Sequence, residues 1–199
     1  MHAMKKTILA AAVAALPLAA QANPESYTID PYHTYVSFEV DHLGFSRMRG
    51  MFTQTNPAKM TLDRTAKTGA IEISVRTASI ATGDNDKGSR PRARDEHLRS
   101  PDFFNVAEFP TMTFRSTKVA FKGDNPGQID GNVTLLGVTK PASLAVDFWK
   151  CGQHPVSKRE MCGGNASGTI KRSDFGMKYG IPAVGDEIKL FVEIEAYKD

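Results

Sequence analysis

Cysteine is scarce in this chain. Only Cys151 and Cys162 occur, and they lack the Cys-x-x-Cys spacing of a thioredoxin-like redox pair. No run after residue 22 approaches the length of a membrane helix. Catalytic signatures are missing too: there is no Gly-x-Ser-x-Gly elbow, no Walker-type phosphate loop and no His-Glu-x-x-His helix. Excess charge of one sign is absent as well. The formal charge of +3 falls to +1 once Lys5 and Lys6 are set aside, which gives no sign of a nucleic-acid partner. His33, His42, His97 and His154 are scattered without metal-ligand spacing, so no metal site and no cofactor are expected.

What the chain does have begins with an export signal. Lys5 and Lys6 precede an apolar run from Thr7 to Ala20, and Ala20-Gln21-Ala22 supplies a small-x-small cleavage pattern. Residues 1–22 are therefore expected to be a cleaved signal peptide, leaving 23–199 as one domain in the periplasm. In that oxidising compartment Cys151 and Cys162 are expected to form a structural disulfide.

The rest reads as short strands. Val36, Phe38 and Val40 alternate with polar neighbours, as do Ile71, Ile73 and Val75, and Ile188, Leu190, Val192 and Ile194. Met112 with Phe114, and Leu144 with Val146 and Phe148, repeat the pattern, whereas Tyr35, Trp149, Phe191 and Tyr197 fall on the opposite face. Gly83-Asp84-Asn85, Gly123 to Gly127, Asp130-Gly131 and Gly163-Gly164 read as turns between the strands. Only Arg92 to Leu98 has helical character, limited by Pro101. The fold class is all-β, an antiparallel sandwich or barrel.

One segment concentrates chemistry. Arg94 to Pro110 sets Arg94, His97 and Arg99 beside Phe103, Phe104 and Phe109, as a ligand with a polar head and an apolar body would require. The competing reading is a charged surface turn that dips its aromatics into the core.

Ordered motifs extend along nearly the whole mature chain. They include His42-Leu43-Gly44-Phe45-Ser46, Arg49-Gly50-Met51-Phe52, Arg94-Asp95-Glu96-His97-Leu98-Arg99-Ser100 and Asp102-Phe103-Phe104. Glu108 to Thr117, Gly131 to Lys140 and Arg172-Ser173-Asp174-Phe175-Gly176-Met177 continue the series. In these the chain resembles the YceI-like family of periplasmic polyisoprenoid-binding proteins. That resemblance implies a single extended lipocalin-like β-barrel of about eight strands with one or two short helices. It also implies a binder rather than an enzyme, holding a polyisoprenoid, an isoprenoid quinone or another long-chain lipid in an apolar channel.

On this reading Phe45, Phe52, Phe103, Phe104, Phe109, Phe114, Leu135, Phe175 and Met177 line the channel. His42, Arg94, His97 and Arg99 face the polar head. The alternative is a quinone-linked accessory module for a membrane cytochrome b partner, and a homodimer is compatible with either. A hydrolase recruiting Glu39, Asp41 and His42 lacks a recognisable nucleophile.

Overall fold

A strand with every second residue apolar buries that face only by pairing into a sheet, and a sheet loses its exposed edges by closing on itself. The computed structural model describes residues 23–199 and has this architecture, while the signal peptide expected over residues 1–22 lies outside the described residues. Eleven antiparallel strands form one sheet: β1 (Glu25–Ile29), β2 (Tyr35–His42), β3 (Ser46–Phe52), β4 (Lys59–Asp63), β5 (Thr68–Arg76), β6 (Ile80–Ala81), β7 (Thr111–Lys122), β8 (Asn125–Leu135), β9 (Val138–Gln153), β10 (Glu160–Lys171) and β11 (Val184–Lys198).

The order β1–β4–β5–β7–β8–β9–β10–β11 returns to β1 where Tyr197 pairs with Thr28, so eight strands close an antiparallel barrel. β2, β3 and β6 branch from the upstream part of β11, along a register that runs from Val184 opposite His42 to Glu193 opposite Tyr35. One short helix, α1 (Arg94–Arg99), stops at Ser100 ahead of Pro101, and 3-10 turns cover Thr77–Ser79 and Arg172–Phe175.

The expected alternation fills the interior. Ile71, Ile73 and Val75 from β5, Ile129, Val133 and Leu135 from β8, and Leu190, Val192 and Ile194 from β11 are all buried. Gly123 and Asp124 make the two-residue turn between β7 and β8, with Gly123 at φ 66°, where a side chain would be strained.

Three expectations are corrected by the backbone. Asp130-Gly131 and Gly163-Gly164 are not turns but lie inside β8 and β10. The missing Cβ leaves room for aromatic rings there. A Cβ on Gly131 would sit 2.6 Å from Phe114 Cζ, and one on Gly164 would sit 2.5 Å from Trp149 Cε3.

The third correction concerns β9. Val146 pairs with Ala166 and Phe148 with Asn165, so Asp147 bulges out of the register. That single extra residue exchanges the two faces downstream. Phe148, expected inside, is 57% exposed, and Trp149, expected outside, packs on the core opposite Gly164.

The new parity also points Cys151 inward against Cys162, its direct partner in the register. The two form the expected disulfide, with Cα atoms 4.0 Å apart. It links the two strands next to the β9–β10 turn, where Cys162 is buried.

Candidate ligand-binding site

Three apolar cavities lie end to end inside the barrel. The largest, about 80 Å³, is at the α1 end and is lined by Phe38, Val40 and Phe52 from β2 and β3, by Leu98, Phe103 and Phe104 around α1, and by Leu135, Ile170, Met177 and Ile188 among others. Met112 and Leu190 separate it from a second space of about 40 Å³ that also touches Val36, Val75 and Val133. Ile73, Phe114, Leu144 and Val192 in turn separate that space from a third, about 20 Å³, which reaches Ile71, Ile129, Trp149 and Ile194 at the far end. The row of spaces, divided by these shared side chains, runs from α1 towards the disulfide end.

Of the residues the sequence assigned to the wall, Phe52, Phe103, Phe104, Leu135 and Met177 line the α1-end cavity, and Phe114 lines the other two. Phe45 lies outside the path. It is 93% exposed at the tip of the β2–β3 hairpin, where Leu43 and Gly44 turn the chain with positive φ and no strand covers it. Phe175 is buried in the core without facing any of the three spaces. Phe109 is half-buried over Gly137, whose Cβ position would lie 3.0 Å from the ring, and it too faces none of them.

Sequence reasoning left several wall residues unassigned, notably Phe38, Met112, Leu144 and Leu190. Their alternation shows a shared face but not that the face surrounds free space.

The α1 end is closed by interlocking rings. Phe52 and Phe104 meet edge to face with centroids 5.4 Å apart. His97 stands edge-on to both Phe103 and Tyr179, at 4.9 Å in each case, and Phe103 contacts Tyr179 at 5.3 Å. Tyr179 itself is half exposed, so this cluster separates the cavity from solvent.

The cations assigned to the head are engaged by the chain. Arg94 donates to Thr82 Oγ1 at 2.7 Å and to the Thr82 carbonyl at 3.1 Å, and the same threonine donates to the buried Asp95. Arg99 donates to the Ala78 and Ile80 carbonyls, both at 2.8 Å. His97 Nε2 lies 2.8 Å from Asp102 Oδ2, the oxygen that Arg92 also reaches at 3.0 Å. First the His97 hydrogen bond and then that from Arg92 hold the Asp102 carboxyl below its ordinary value. His42 ends β2 opposite Val184 and forms no side-chain hydrogen bond among the described residues. These hydrogen bonds make the segment a rim beside the apolar α1-end cavity.

A buried arginine that the sequence reading did not single out supports that rim. Arg172, in the 3-10 turn after β10, is 3% exposed and lines the α1-end cavity. Its guanidinium donates to the carbonyls of Gly185 at 2.8 Å, Met177 at 3.2 Å, Tyr179 at 2.8 Å and Val184 at 2.9 Å. Burial pulls this guanidinium below its ordinary value, and the nearby Asp186 charge opposes the shift. Four carbonyls and no direct carboxylate partner make it a clamp for the chain between Gly176 and Val184, which carries Tyr179. The pattern Arg172-Ser173-Asp174-Phe175-Gly176 was the signal that could have revealed it.

The matches to known proteins agree with this architecture. A family profile described as the YceI-like domain covers residues 27–196. A UPF0312 protein of Pseudomonas aeruginosa is 33% identical over 198 residues, spanning 98% of this chain and 99% of the relative. Among solved structures, BcnA of Burkholderia cenocepacia aligns with a TM-score of 0.67 at 20% identity, covering 84% of this chain and 98% of that one. A structure described as a polyisoprenoid binding domain from Saccharophagus degradans aligns with a TM-score of 0.59 at 14% identity, covering 88% and 99%. At those identities the two structures show a shared fold.

Proposed function

The chain belongs to the YceI-like family, and from that premise we propose that it holds the apolar tail of a polyisoprenoid or similar long-chain lipid, a prenyl phosphate or an isoprenoid quinone, inside the barrel. The observation that carries this reading is the row of three apolar cavities sharing walls from α1 to Trp149. Burial of each methylene-sized unit of a tail contributes about 0.8 kcal/mol, so a tail needs no hydrogen bond to be retained.

The cavities together are smaller than a long prenyl chain. Wall side chains move aside on binding, and the unbranched Met112 and Met177 are suited to do so. The polyisoprenoid-binding description of the Saccharophagus degradans relative supports the same cargo class. The export signal expected before residue 23, together with the disulfide, supports a periplasmic place for this carrier or store.

Native purification followed by lipid mass spectrometry tests the proposal. Recovery of a stoichiometric prenyl lipid, or its uptake by the delipidated protein, is the expected result. A protein with no amphiphile bound that also takes up no added prenyl lipid would overturn the reading.

A further inference from the structure

Among the described residues one buried side-chain polar atom has no hydrogen-bond partner, and it is Nε1 of Trp149. Leaving an N–H donor unpaired away from water is costly, so a native structure needs a reason to keep one. Trp149 is also the sole tryptophan of the chain, and the bulge at Asp147 is what turns it inward. It lines the third cavity, the end of the apolar path farthest from α1.

Water is a poor partner there. An ordered water requires about two to four polar contacts. The remaining side chains around the space are mainly hydrocarbon, including Ile71, Ile129, Leu144 and Ile194, and Asn165 is exposed on the outer face. The rim at the opposite end presents the reverse situation, because Arg94, His97 and Arg99 already have acceptors in the chain. The unpaired donor therefore belongs to a residue at the far end of the row and not to the rim.

We infer that Trp149 Nε1–H donates to an uncharged oxygen at the leading end of the lipid, a carbonyl such as that of a quinone or ketone, so that the ligand enters oxygen first with its tail towards α1. A phosphate does not suit this place. Its charges need several donors or a counter-ion, and a single neutral N–H among apolar side chains supplies neither. The inference rests on the lipid-binding reading above and deepens it by choosing between a neutral oxygenated cargo and a prenyl phosphate.

The test uses three probes: farnesylacetone, a prenyl ketone; a branched hydrocarbon of the same carbon count; and a prenyl phosphate of similar length. Binding to delipidated wild type and to Trp149→Phe is measured by competition with a fluorescent lipid. Wild type is expected to prefer the ketone to the hydrocarbon by about tenfold, and the variant to hold both with the hydrocarbon's affinity. The prenyl phosphate is expected to bind more weakly than the ketone.

Because Trp149 is the sole indole, wild type supplies a second readout that no substitution can compromise. Its emission should move to longer wavelength on binding the ketone and not on binding the hydrocarbon. An unchanged ketone preference in Trp149→Phe, tighter binding of the phosphate, or the same emission with both neutral probes would overturn the inference while leaving lipid binding intact. Failure of every probe to bind wild type would overturn both.

Discussion

The Arg172 guanidinium donates to the Val184 carbonyl at 2.9 Å, joining the turn after β10 to the first residue of β11 beside the α1-end cavity. With its three other carbonyl partners, this bond fixes the chain that carries Tyr179 against His97 and Phe103.

Arg172→Ala should therefore lower unfolding stability by about 3 kcal/mol, because several buried carbonyls lose their donor together. Arg172→Lys should recover only part of that, since one ammonium cannot reach acceptors spread around a planar guanidinium. Urea unfolding measures the loss, and hydrogen exchange should show residues 176–184 opening first. Equal stability of wild type and both variants would show that the clamp is dispensable.

The disulfide predicts a separate change at the far end. Replacing Cys151 and Cys162 together by Ala removes a cross-link closing a loop of sequence separation 11. The expected cost is about 2–3 kcal/mol from the entropy restored to the unfolded chain. The denaturation midpoint of wild type should shift by the same amount in reductant, whereas that of the double variant should not move.

Met112 stands between the first and second cavities. Met112→Trp should block the path there, at an overpacking cost of about 1–3 kcal/mol. Lipids short enough for the α1-end space should still bind, and affinity should stop rising with chain length. Binding measured over a series of prenyl alcohols checks this. A length dependence equal to that of wild type would mean that the tail does not pass Met112.

Acid should loosen the rim. The Asp102 carboxyl is held down by hydrogen bonds from His97 and Arg92, in that order. A group with a depressed folded-state value contributes stability above its unfolded value, about 3.9 for Asp, and loses it as pH falls through the folded value. Wild type should thus lose its advantage over Asp102→Asn progressively as pH falls from about 4 through the lower folded-state value, below which both side chains are neutral. Thermal unfolding followed from pH 7 to pH 2 reads the difference, and a gap that stays constant with pH would show that the ionised carboxylate contributes nothing.

Much of this molecule was legible in the sequence. Ile71, Ile73 and Val75 share a buried face because strand geometry alternates side chains with period two, whatever the rest of the chain does. Pro101 limited α1, and two cysteines read together with an expected export signal pointed to the disulfide. Gly131 and Gly164 were misread because glycine serves two purposes. Local rules see its freedom to turn, whereas here it makes room for Phe114 and Trp149. The arginines of the α1 segment were equally ambiguous, since a guanidinium that can bind a head group can as well bind the carbonyls of Ala78 and Ile80.

By itself the sequence determined an all-β chain, which residues share each strand face and where α1 ends, because all of these follow from neighbours along the backbone. Tertiary structure alone decided which faces enclose free space, that Phe45 stays outside it, and that the arginines of the rim hold the chain. It also decided the place of Trp149. One unpaired residue, Asp147, exchanges the faces of β9, and a bulge is fixed by the fit of β9 against β10 and not by any pattern within β9 itself.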